Sequence, residues 1–126
     1  MKVLIVDDEA PARARLARLL ESIEGCELVG EAADGARAVA LTEQTAPDVL
    51  LLDIRMPGMD GLEVARHVAD AEPPPAVIFT TAYGDHALEA FETHAADYLV
   101  KPIRTDRLEA AITGARRRTR AQMAAD

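Results

Sequence analysis

Short apolar runs alternate along this chain with amphipathic stretches, and that pattern constrains the fold more than any other feature. It is the pattern of a parallel sheet covered by helices on both faces. Strands are predicted near residues 2–6, 26–30, 48–53, 76–81 and 97–100, and helices near 10–22, 35–45, 61–71, 85–93 and 105–119. The expected fold class is therefore α/β, a doubly wound five-stranded parallel sheet with five helices. In the first helix Leu16, Leu19, Leu20 and Ile23 recur at three- and four-residue spacing, while Arg13, Arg15, Arg18 and Glu21 fall mostly elsewhere on the wheel. One face packs and the other is wet. Asp34 before Gly35, and Asp60 with Glu63 three residues on, supply side-chain acceptors for free N–H groups at helix starts. Pro73, Pro74 and Pro75 stop the third helix and extend the chain into the fourth strand.

Four of the apolar runs stop at polar groups. Val3 to Val6 lead into Asp7 and Asp8, and Val49 to Leu52 lead into Asp53. Ile78 and Phe79 lead to Thr80 and Thr81, and Tyr98 to Val100 lead into Lys101, followed by Pro102 in a turn that suits a cis bond. Open parallel sheets bind ligands at the carboxyl ends of their strands, where the strand order reverses. With the order 2-1-3-4-5, Asp7, Asp8 and Asp53 converge at that point, flanked by Thr81 and Lys101. Carboxylates about 4 Å apart at an effective dielectric near 20 repel by about 4 kcal/mol per pair, so a cation is expected among them. An all-oxygen site suits Mg²⁺, which leaves coordination places for phosphate oxygens, better than Zn²⁺. His67, His86 and His94 have no ligand spacing and read as surface residues. Lys101 then supplies a fixed cation, Thr81 a donor to a phosphoryl oxygen, and Asp53 a nucleophile. Taken singly, each acid reads equally well as a helix cap or loop residue, Thr81 as a strand-end hydroxyl and Lys101 as a solvated lysine. Their joint occurrence in this order carries the site.

At 126 residues and 49% hydrophobic content the chain has one domain's length and enough apolar side chains for a core. A net charge of −8 and the absence of tryptophan argue against base recognition or a nucleic-acid surface on the main body. Arg116, Arg117, Arg118 and Arg120 crowd the end, so residues 1–115 read as the domain and 116–126 as a basic helix end or linker. These cations favour a helix macrodipole; a nucleic-acid contact is the alternative. The single Cys26 cannot form an internal disulfide and fits a small, buried apolar position, which suits a reducing, cytoplasmic setting. The apolar run before Asp7 is too short for a signal peptide, and no run approaches the roughly 18 residues of a membrane helix.

The stretches Val3 to Glu9, Asp53 to Gly61, Thr81-Ala82 and Lys101-Pro102 together resemble the receiver domains of two-component response regulators, whose fold is flavodoxin-like and CheY-like. The resemblance covers almost the whole chain. The segments Ala87 to Glu92 and Ala96 to Pro102 look like the LytR/AlgR type. The resemblance implies that Asp53 is the phosphoacceptor for a sensor histidine kinase, and that Asp8, Asp53 and the backbone carbonyl of Arg55 bind Mg²⁺. Asp7 would position the metal through water, and Thr81 and Lys101 would contact the phosphoryl group. Thr81 and Tyr98 would form an aromatic switch that changes the surface of the 85–93 helix, the fifth strand and the last helix, a face through which such domains also pair. Tyr98 has an alternative as a half-buried strand residue with a wet hydroxyl. The type normally carries a separate DNA-binding output domain, which would be missing from this chain, and its receiver is a phosphoacceptor and not an enzyme. Bulky Arg55 and Tyr83 are expected at the rim of the site, where they would restrict hydrolytic water. A stand-alone receiver acting in a phosphorelay or as an interaction module is the alternative. A phosphatase of the haloacid dehalogenase kind is the rival from another class, but it needs a second acid two residues after its nucleophile on the first strand, where Asp7 is followed by Asp8 and Glu9.

Overall fold

Buried Val, Leu and Ile residues build five strands: β1 (Lys2–Val6), β2 (Glu27–Ala32), β3 (Val49–Asp53), β4 (Ala76–Thr81) and β5 (Asp97–Val100). All pair in parallel, in the order β2-β1-β3-β4-β5. The computed structural model describes residues 1–82 and 95–125, with side chains as far as Arg117. Four helices lie among the described residues: α1 (Ala10–Glu21), α2 (Gly35–Thr45), α3 (Gly61–Val68) and α4 (Thr105–Ala125). The helix expected over 85–93, with Tyr83, His86 and His94 around it, falls outside them.

Strand alternation sorts the core into two layers. Val3, Ile5, Val49, Leu51, Ile78 and Leu99 face Leu16 and Leu20 of α1 and Leu108 and Ile112 of α4. Leu4, Val6, Leu50, Leu52 and Phe79 face Leu41 of α2 and Val64 and Val68 of α3. Each of these large side chains contributes about 1.5–3 kcal/mol when fully buried, so the sheet is fixed from both sides. Asp34 caps α2 by accepting from the Arg37 N–H at 2.8 Å, and Asp60 caps α3 by accepting from the Glu63 N–H at 2.9 Å, as the sequence pattern requires.

Three boundaries differ from expectation. β2 runs on to Ala32 because its pairing slips between Val3↔Leu28 and Leu4↔Gly30, a bulge that no periodicity reveals. α3 ends at Val68, its last buried residue, where Ala69 and Ala71 donate back to Ala65 and Val68 before the proline run. α4 continues to Ala125, past the expected end near residue 119, because Ala, Gln, Met and Arg there are strong helix formers. Arg116 ties this helix to the α1–β2 turn by donating to the Glu24 carbonyl at 3.4 Å. Cys26 is half-buried against the α1–α4 layer, and burial pushes its thiol upward. His67 is exposed. Among the described residues no helix is long and apolar enough to cross a membrane.

Candidate functional site

The site follows from strand parity. In β1, β3 and β5 the alternation that turns Ile5, Leu51 and Leu99 toward α1 and α4 brings Asp7, Asp53 and Lys101 to the same side. β1 and β3 are hydrogen-bonded neighbours up to Val6↔Leu52, so Asp7 and Asp53 emerge side by side at the carboxyl end of the sheet. Carboxylate oxygens of Asp7, Asp8 and Asp53 lie within 4.8 Å of one another. Asp7 is fully buried, Asp53 is 6% exposed and Asp8 faces solvent.

Each acid has different partners. Asp7 Oδ1 accepts the Glu9 N–H at 2.9 Å and its Oδ2 accepts Lys101 Nζ at 2.8 Å, so both oxygens are already engaged. Lys101 Nζ is 3.7 Å from Asp53 Oδ1. The Asp53 carboxyl is pushed up to about 7. Burial is the main cause, with the Asp7 charge adding to it, Lys101 opposing it, and the Asp8 charge and a side-chain hydrogen bond with Asp8 adding further. Burial alone would lower Lys101, but the Asp7 hydrogen bond and the charges of Asp53, Asp7 and Glu9 outweigh it and raise it. The lysine is a permanent cation. The donor set, carboxylate oxygens without nitrogen or sulfur, fits a hard divalent cation.

β4 and β5 complete the wall. Thr81, fully buried, ends β4, and its carbonyl accepts the Lys101 N–H at 2.7 Å. Thr81 pairs with Val100 and Phe79 with Tyr98, so Tyr98 sits half-buried on the α2–α3 side of the sheet. The Lys101–Pro102 bond is cis. Arg55 is exposed in the loop that follows β3. The structure thus gathers Asp7, Asp8, Asp53 and Lys101, places Thr81 at the adjoining strand end, and sets Arg55 and Tyr98 in the surrounding elements.

Sequence reasoning passed over three contributors. Arg13, assigned to the wet face of α1, donates to the Asp7 carbonyl at 2.7 Å, and Arg15 donates to the Ile103 carbonyl at 2.8 Å. Nothing in helical spacing could have paired them with main-chain carbonyls. Gly61 is required because a Cβ there would collide with the carbonyl of Asp53, and its N–H bonds the Ile54 carbonyl at 2.8 Å. Its place after the capping Asp60 was visible; its contact with the β3 end was not.

Residues 3–113 match the response regulator receiver domain family. The chain is 51% identical over 126 residues to the positive alginate biosynthesis regulatory protein of Pseudomonas aeruginosa, covering 99% of this chain and 51% of that protein. It is 48% identical over 109 residues to the transcriptional regulatory protein BtsR of Salmonella typhi, covering 86% of this chain and 45% of that one. The chain therefore spans about half the length of these relatives. A receiver domain protein from Clostridium thermocellum superposes with a TM-score of 0.87 at 30% identity, over 96% of this chain and 98% of that one. The response regulatory domain of mrkE from Klebsiella pneumoniae superposes with a TM-score of 0.82 at 34% identity, over 90% and 93% of the two chains. Matched over nearly its whole length by sequence and by fold, the chain belongs to the receiver domains of two-component response regulators.

Proposed function

We propose that this receiver accepts a phosphoryl group on Asp53 from a sensor histidine kinase and uses it to control an output. The observation that carries the reading is the convergence of Asp7, Asp8 and Asp53 within 4.8 Å, with Lys101 Nζ 3.7 Å from Asp53. An Asp53 carboxylate oxygen attacks phosphorus, the P–N bond of the donor phosphohistidine breaks, and the electron pair leaves with the imidazole. Asp8, Asp53 and the backbone carbonyl of Arg55 would hold Mg²⁺, with Asp7 acting through water because Glu9 and Lys101 already engage its oxygens. When bound, the metal supplies positive charge against the phosphoryl oxygens. Lys101 neutralises charge from the opposite side, and Thr81 donates its hydroxyl to a phosphoryl oxygen. Burial pushes the Asp53 carboxyl up to about 7, and a bound cation would favour the carboxylate form that attacks phosphorus.

Movement of Thr81 toward the phosphoryl group would let Tyr98 follow, altering the surface made by β5 and α4. A few kcal/mol from new charge-assisted bonds can invert a modest two-state preference. We extend the reading to pairing of two copies through that face. The name of one longer relative, a transcriptional regulatory protein, supports transcription control; in this reading the control acts through a separate DNA-binding part. In this reading the domain is a phosphoacceptor without turnover. Incubation with Mg²⁺ and p-nitrophenyl phosphate tests it against the phosphatase alternative: no multiple turnover is expected, and steady release of nitrophenol that depends on Asp7 or Asp53 would overturn it.

A further inference from the structure

The first turns of α1 carry two arginines whose bonds reach both walls of the site. Arg13 Nη1 donates to the carbonyl of Asp7 at 2.7 Å, and Arg13 Nε lies 3.5 Å from Glu31 of β2. That carbonyl belongs to the peptide joining Asp7 to Asp8, so its direction fixes how the second acid leaves the first. Arg15 Nη2 donates to the carbonyl of Ile103 at 2.8 Å, two residues beyond Lys101. Both bonds are charge-assisted and hold main chain, and neither side chain need touch a ligand.

We propose that Arg13 and Arg15 are positioning residues, Arg13 orienting the acid pair and Arg15 the lysine loop, so that α1 sets the geometry across the site. The inference rests on the proposed function for its chemical consequence, and on the two hydrogen bonds for its structural one. The sign of the effect separates positioning from simple charge. Removing a cation beside an acidic site strengthens cation binding by Coulomb's law, whereas letting the Asp7–Asp8 peptide swing weakens it. Changes to groups that orient metal ligands typically cost 10- to 100-fold in affinity, and a loosened catalytic group costs rate.

The test compares Arg13→Ala, Arg13→Gln, Arg15→Ala and Arg15→Lys with the full chain. It reads amide hydrogen exchange, Mg²⁺ affinity by calorimetry, and the rate of phosphorylation by acetyl phosphate. Arg13→Ala is expected to speed exchange at residues 7–10 and to weaken Mg²⁺ binding by about tenfold. Arg13→Gln, which keeps a donor without the charge, should recover part of that loss. Arg15→Ala is expected to speed exchange at residues 101–105 and slow phosphorylation by about tenfold with Mg²⁺ affinity unchanged, and Arg15→Lys should restore the rate. Unchanged exchange in both loops, exchange raised uniformly across the fold, or tighter Mg²⁺ binding in Arg13→Ala would overturn the proposal. If the wild type takes up neither Mg²⁺ nor phosphoryl, the proposed function falls, and the exchange pattern alone decides the positioning role.

Discussion

Lys101 Nζ lies 2.8 Å from Asp7 and 3.7 Å from Asp53, so the lysine is held by the more deeply buried acid. Asp7 has no exposed surface, and its carboxylate oxygens are engaged by that cation and by the Glu9 N–H. Lys101→Met should therefore destabilise the fold by about 2–3 kcal/mol, less than a fully buried pair because the lysine is 25% exposed. Urea unfolding at pH 7 checks it; an unchanged midpoint would mean that Asp7 is satisfied without the lysine.

A second expectation comes from the Asp53 carboxyl, pushed from the ordinary 3.8 up to about 7. Between these values the folded state keeps a proton that the unfolded chain has released. Stability should then fall as pH rises from about 4 to about 7 and level off above, by up to about 4 kcal/mol. Below about pH 4 both states are protonated and the full stability is present. Urea unfolding in EDTA across this window should show the slope in wild type and a flatter profile in Asp53→Asn; identical profiles would count against a buried, proton-holding Asp53.

Asp8 is exposed and lies against two other acids, so it adds repulsion and little packing. Asp8→Ala should raise the Tm without Mg²⁺ by a few degrees, as about 1 kcal/mol of relief would in a domain of this size. It should also abolish the rise in Tm that Mg²⁺ gives the wild type. Equal Mg²⁺-dependent shifts in the two proteins would contradict the metal site as drawn.

Thr80, the register partner of Asp53, has a fully buried hydroxyl with no hydrogen-bond partner among the described residues. Replacing it by Val removes the unsatisfied group at almost the same shape, so Thr80→Val should stabilise by about 1 kcal/mol. Chemical denaturation that shows a loss instead would mean the hydroxyl is satisfied in solution.

Much of this site was legible in the sequence because strand ends are. An apolar run that stops at a polar group marks both the end of a strand and what it delivers, and Asp7, Asp53, Thr81 and Lys101 are all delivered in that way. Asp34 and Asp60 were legible as caps because a cap acts within three residues of itself. Contacts between distant segments were not. Arg15 meets Ile103 across 88 residues, and Gly61 matters through the carbonyl of Asp53, a steric fact of one loop's path. The bulge that lengthens β2 is likewise a matter of pairing, which periodicity within one strand does not encode.

The most direct measurement is intact mass after incubation with Mg²⁺ and acetyl phosphate, with Asp53→Asn alongside. The account predicts one added phosphoryl group on wild type, lost when EDTA replaces Mg²⁺, and none on the variant. Addition to both proteins, or to neither, would contradict Asp53 as the phosphoacceptor.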